Sequence, residues 1–139
     1  MKKYLFILIA VISIIGCSSD KKADKNSETT SNPDGKAKFE FVEEVHDFGE
    51  IVQGERVSYT FKFKNIGEAD LIINSVKASC GCTAPDFDKE PVAPGEEGNI
   101  NVTFDSSNRE GNQYKKITVD ANTEPQIHEL VITCNVVKP

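Results

Sequence analysis

Histidine is nearly missing from this 139-residue chain, which has only His46 and His128. Two imidazoles far apart in sequence make no catalytic constellation, and a structural zinc site needs four ligands. Positive charge is also short: 16 Lys and Arg stand against 22 Asp and Glu, a net charge of −6. Nucleic acid and anionic lipid surfaces both demand clustered cations, and no basic stripe is present. The chain has no Gly-x-Ser-x-Gly elbow and no phosphate-binding glycine loop. Asp86, Asp88, Glu90, Glu96 and Glu97 follow Cys82, but their spacing does not match an EF-hand, which has a glycine at its sixth position and a glutamate at its twelfth. They are expected to form a solvated acidic loop. No metal or other cofactor and no hydrolase chemistry is expected. A sustained helical period is missing after the first segment, and so is any solenoid repeat.

One long apolar run is present, at the start: MKKYLFILIAVISIIG. Lys2 and Lys3 precede an apolar stretch too short to span a bilayer as a stable helix, the pattern of a secretory signal peptide over residues 1–16. Ile14-Ile15-Gly16-Cys17 resembles a bacterial lipobox. That resemblance implies cleavage before Cys17, a diacylglyceryl group on its sulfur, and membrane lipid as a partner. Several acyl chains hold a protein far more firmly than one, at about 0.8 kcal/mol per buried methylene. Without residues 1–16, Lys and Arg number 14 against 22 acids, a net charge of −8. Residues 18–38 contain only Ala23 and Ala37 as apolar side chains. Such a segment cannot bury enough surface to offset its ordering entropy, so residues 17–38 are expected to be a lipidated, disordered tether. As a coil it reaches about 25 Å. The expected location is the cell envelope, on the outer membrane, with the domain in the periplasm or at the surface.

From Phe39 to Lys138 the pattern turns to period two. Val57, Tyr59, Phe61 and Phe63 alternate with Ser58, Thr60, Lys62 and Lys64. Ile100-Val102-Phe104, Ile117-Val119-Ala121 and Leu130-Ile132-Cys134-Val136 repeat the alternation. Each predicts a strand with one apolar and one wet face. Phe39-Glu40-Phe41 and Leu71-Ile72-Ile73 start two more, and Gly, Pro and Asn clusters separate them. About seven short strands in a hundred residues predict an all-β, antiparallel two-sheet sandwich of immunoglobulin type over 39–138.

The order His46-Asp47-Phe48-Gly49-Glu50-Ile51, Gly54-Glu55, Phe61 to Gly67, Leu71-Ile72-Ile73, Ser79-Cys80-Gly81-Cys82-Thr83, Pro91 to Glu96 and Val102-Thr103-Phe104 resembles the domain-of-unknown-function 1573 family of bacterial proteins. The resemblance implies a secreted or lipid-anchored sandwich similar to Hydin-type and major-sperm-protein-type domains. It implies almost nothing about activity, since sandwiches serve many unrelated ends. Asn65 is read as a cap on the bend after its strand. Cys134 departs from the family, which usually carries glycine in the last strand.

With Cys17 lipidated, three thiols remain, and an odd number leaves one unpaired in a monomer. Three readings stand open. In the preferred one, Cys80 and Cys82 flank Gly81 at a strand end as small half-buried hydrophobes and Cys134 fills the core, because no base or helix N-terminus is visible to activate a thiol. In the second, a bridge forms, either a small Cys80–Cys82 ring or a staple to Cys134. In the third, Cys80 and Cys82 hold a soft ion such as Cu(I). The resulting expectation is a non-enzymatic binding or structural module that meets another envelope protein through a loop or strand edge. Its rival is a thiol protein using Cys80 and Cys82 for redox or copper handling.

Overall fold

A computed structural model describes residues 35–139. The signal segment, the lipid site at Cys17 and most of the tether lie outside the described residues. Eight strands follow in chain order: β1 Phe39–Phe41, β2 Val45–Val52, β3 Arg56–Asn65, β4 Ile73–Ala78, β5 Thr83–Phe87, β6 Glu97–Asp105, β7 Gly111–Ala121 and β8 Ile127–Val137. They form two four-stranded sheets, ordered β1-β3-β6-β5 and β2-β8-β7-β4.

The alternation read from the sequence is the packing seen. Phe61, Phe104, Ile100, Val102, Ile117, Val119, Leu130, Ile132 and Val136 are all buried between the sheets. In register, Phe61 faces Ile100, Tyr59 faces Val102 and Val57 faces Phe104. Each buried side chain of this size contributes roughly 1.5–3 kcal/mol relative to exposure, so this seam stabilises the sandwich.

Several details differ from expectation. Two strands, β2 and β5, carry no clean apolar alternation; with the six segments named from the sequence they make eight, against the expected seven or so. β2 pairs with β8 in parallel, so one sheet is mixed. Asp86 lies in β5, Glu97 begins β6, and only Asp88, Glu90 and Glu96 of the acidic set occupy connections. Leu71 makes an isolated bridge with Val92, and the strand proper begins at Ile73. The folded chain begins upstream of Phe39. Ala37 is buried and bridges Thr123, and Ile66 and Glu68 donate their amides to Lys38 O and Lys36 O, both at 2.9 Å. Gly67 permits this approach: a Cβ there would sit 2.6 Å from Lys38 N and 2.7 Å from Ala37 Cα.

β2 is bulged between Asp47 and Glu50. Gly49 supplies the left-handed conformation this requires, with φ of 69°. Its amide donates to Asp47 Oδ1 at 3.0 Å. That bond, with another from the Thr133 hydroxyl, holds the Asp47 carboxyl below its ordinary range.

Candidate functional site

The Cys80-Gly81-Cys82 turn links the edge strand β4 of one sheet to the edge strand β5 of the other. Hydrogen bonds to both sheets fix it. Ser79 N donates to Lys116 O at 2.9 Å, and Lys116 N donates back to Ser79 Oγ at 3.2 Å. Thr83 N reaches Cys80 O at 3.3 Å, and Asp105 N reaches Cys82 O at 2.9 Å. Between these anchors the two sulfurs are joined as a disulfide, with Cα atoms 5.4 Å apart, inside the usual range for a bridge.

The bridge corrects the preferred expectation of two unlinked thiols. It also selects the small ring over a staple to Cys134, which is free and buried in β8. Burial, and then the nearby Asp47 carboxylate, pushes the Cys134 thiol pKa up, so it remains an unreactive core filler at neutral pH. Cys80 and Cys82 are half-buried, Gly81 is exposed, and open space lies where a Gly81 side chain would stand. Thr83 is buried, and its hydroxyl lies 3.5 Å from Cys80 Sγ, to which it donates because a disulfide sulfur has no proton. While bridged, neither sulfur is the thiolate that a soft metal requires. Among the described residues no group of three or more His, Cys, Asp or Glu converges as a metal site.

The histidines are built into packing. His46 lies within β2, and its ring stacks on Tyr59 of β3 at 3.5 Å between centroids, 7° from parallel. Glu43 ties the two together: Oε1 is 3.1 Å from His46 Nδ1 and Oε2 accepts from the Tyr59 hydroxyl at 3.2 Å. Burial, with the Glu43 charge beside it, raises the Tyr59 pKa. His128 packs edge-on against Phe39 at 4.8 Å and meets the Thr123 hydroxyl at 2.9 Å.

Glu43 belongs to a second crossover, from β1 to β2, that sequence reasoning missed. Its backbone is tied to each sheet, by Val42 N to Lys62 O at 3.0 Å and by Val131 N to Glu44 O at 2.8 Å. The Glu43 carboxylate is held by His46 and Tyr59 while its neighbours Val42 and Val45 stand 80% and 56% exposed. The one local signal was the three-residue spacing of Glu43 and His46; their partner Tyr59 comes from the opposite sheet.

Solved structures resemble this architecture at low identity. A protein of unknown function from Porphyromonas gingivalis W83 aligns at a TM-score of 0.63 and 15% identity, over 71% of this chain and 46% of that one. This chain therefore spans less than half of that protein. The ASH/PapD-like domain 7 of human CEP192 aligns at 0.61 and 11% identity, over 75% of this chain and 88% of the domain. The secreted serine protease VesC of Vibrio cholerae aligns at 0.54 and 12%, over 73% of this chain but 23% of the protease. At such identities these likenesses show a shared sandwich fold and nothing more. No curated protein matches the chain. The family model described as "Protein of unknown function (DUF1573)" matches residues 39–136, most of the chain, and the protein belongs to that family.

Proposed function

We propose that this protein is a cell-envelope lipoprotein: lipid on Cys17 and a polar tether present a non-enzymatic β-sandwich that binds another envelope protein through the Val42–Val45 crossover. The observation that carries the reading is the crossover itself. Val42 and Val45 are 80% and 56% exposed on a backbone anchored to both sheets, with the half-buried Glu43 held by His46 and Tyr59. A pre-ordered apolar projection loses little entropy when a partner covers it.

A loop contact suits the molecule better than strand addition. β1 has three residues, β5 carries Pro85 with no amide hydrogen, and β2 and β4 are both bulged. Short, bulged or proline-bearing edges resist pairing with another chain. The anchoring half of the reading rests on the Gly16-Cys17 signal and the apolar run before it.

The test places a photo-crosslinking amino acid at Val42 of the full chain in cells. The expected result is one discrete adduct with a membrane-associated protein, lost on Val45→Lys and not seen when the crosslinker replaces exposed Asn108. In the same cells, labelled fatty acid should enter the wild type and not Cys17→Ser. Equal adducts from positions 42 and 108 would overturn the docking surface. Label retained in Cys17→Ser would overturn the lipid assignment.

A further inference from the structure

We propose that Cys80–Cys82 is a thiol–disulfide exchange site, which a dithiol opens while the domain stays folded. This goes beyond the binding reading and does not depend on the Val42 contact.

Three observations carry it. The bridge is not a staple. It closes a loop of only three residues, so it removes little entropy from the unfolded chain. Its turn is already held by Ser79, Lys116, Thr83 and Asp105 through hydrogen bonds that do not involve sulfur. The bridge is also reachable: both cysteines are half-buried at a sheet edge, beside an exposed glycine with empty space above its Cα. Finally, the two sulfurs differ. The buried Thr83 hydroxyl donates to Cys80 Sγ at 3.5 Å, and among the described residues no side-chain hydrogen bond to Cys82 accompanies it. A hydrogen bond to a developing thiolate makes that sulfur the better leaving group.

The step follows. A thiolate of the dithiol attacks Cys82 Sγ. The Cys80–Cys82 bond breaks, and its electron pair leaves on Cys80 Sγ, which takes up a proton. The second thiolate of the dithiol then attacks its own sulfur in the mixed disulfide. Cys82 departs as a thiolate and is protonated. Two electrons and two protons have moved from the dithiol to the cysteine pair, and the dithiol has become a disulfide. Run backwards, the same step re-forms the bridge from any disulfide of suitable potential.

The structure also contains the control for its test. Cys134 is buried and reacts only if the sandwich opens. Lys77 and Lys89 flank the pair, so a tryptic peptide of residues 78–89 reports both cysteines together. The full chain, exported and purified in detergent, is treated with graded millimolar dithiothreitol and alkylated over time. The expected result is two alkyl groups on peptide 78–89, at a rate proportional to dithiothreitol, while Cys134 stays unmodified. Thr83→Val, which keeps the side-chain shape, should slow opening several-fold with Cys134 still protected. The proposal is overturned if the peptide carries two alkyl groups before any reductant is added. It is equally overturned if opening is independent of dithiothreitol and coincides with Cys134 alkylation. An unchanged rate in Thr83→Val overturns Cys80 as the leaving sulfur.

Discussion

Replacing Asn65 tests how the N-terminal end of the domain is held. Its side chain is fully buried at the end of β3. Oδ1 accepts from Gly67 N at 2.9 Å and, more weakly, from Lys38 N at 3.4 Å. Nδ2 donates to Ala69 O and Val92 O, both at 2.8 Å. In Asn65→Ala these bonds are lost unequally. Val92 O keeps its bond from Leu71 N at 2.9 Å, whereas the Asn65 bond is the contact of Ala69 O and Gly67 N described above. Each group left unsatisfied costs about 1–3 kcal/mol. Two such groups, each partly reached by water, give an expected loss of about 3 kcal/mol, a large share of an ordinary domain's stability.

Asn65→Asp sharpens the test. The shape survives, but an oxygen replaces the donor facing two carbonyls. Only a protonated carboxyl can donate there, so the folded-state pKa of the new acid rises above its unfolded value. Its penalty is therefore small at acid pH and grows as pH rises through the carboxylate range. Urea unfolding followed by circular dichroism, at pH 4.5 and 7, reads both variants. The reasoning fails if Asn65→Ala lies within about 0.5 kcal/mol of wild type, a surface-like effect. It fails equally if the gap between Asn65→Asp and wild type is the same at both pH values.

Two further outcomes follow from geometry. Asp105 titrates with the opposite sign: the Ser107 hydroxyl, the Ser107 amide and Arg56 hold its pKa at about 2 against an ordinary 3.8. Its stabilisation is present above the unfolded value and is lost as pH falls from 3.8 through about 2. The stability difference between wild type and Asp105→Asn should therefore shrink across that window, measured by thermal unfolding at stepped pH. Gly67→Ala should destabilise by about 1–3 kcal/mol through overpacking, because its Cβ meets the backbone of residues 36–38. Hydrogen exchange should then quicken first at the Ile66 and Glu68 amides, which donate to Lys38 and Lys36; unchanged protection there would refute the close approach.

Much of the fold was legible because side chains on a strand alternate with period two. Val57 to Phe63, Ile100 to Phe104, Ile117 to Ala121 and Leu130 to Val136 announced their strands by that rule, and the inward-facing Cys134 followed from it. Asn65 was legible as a cap because two of its bonds, with Gly67 N and Ala69 O, lie within four residues; those with Lys38 N and Val92 O were not legible. β2 and β5 escaped because a bulge at Gly49 breaks the alternation of one, and Pro85 and Asp86 disguise the other. The site was half legible. Cys80 and Cys82 were visible as candidates, yet the Cys-Gly-Cys spacing suits a free turn, a small ring and a two-thiolate clamp equally.

By itself the sequence determined which segments are apolar on one face, and hence that two sheets must pack. It also determined where the tether's composition ends and which residues carry sulfur and imidazole, since all of these depend on neighbours within a few positions. Only the tertiary structure decided the parallel pairing of β2 with β8 and the joining of the cysteines across Gly81. It alone placed Tyr59 against His46 and Glu43, so that Val42 and Val45 stand outward. Those outcomes depend on which backbone segments meet through space, and local periodicity carries no record of the partner.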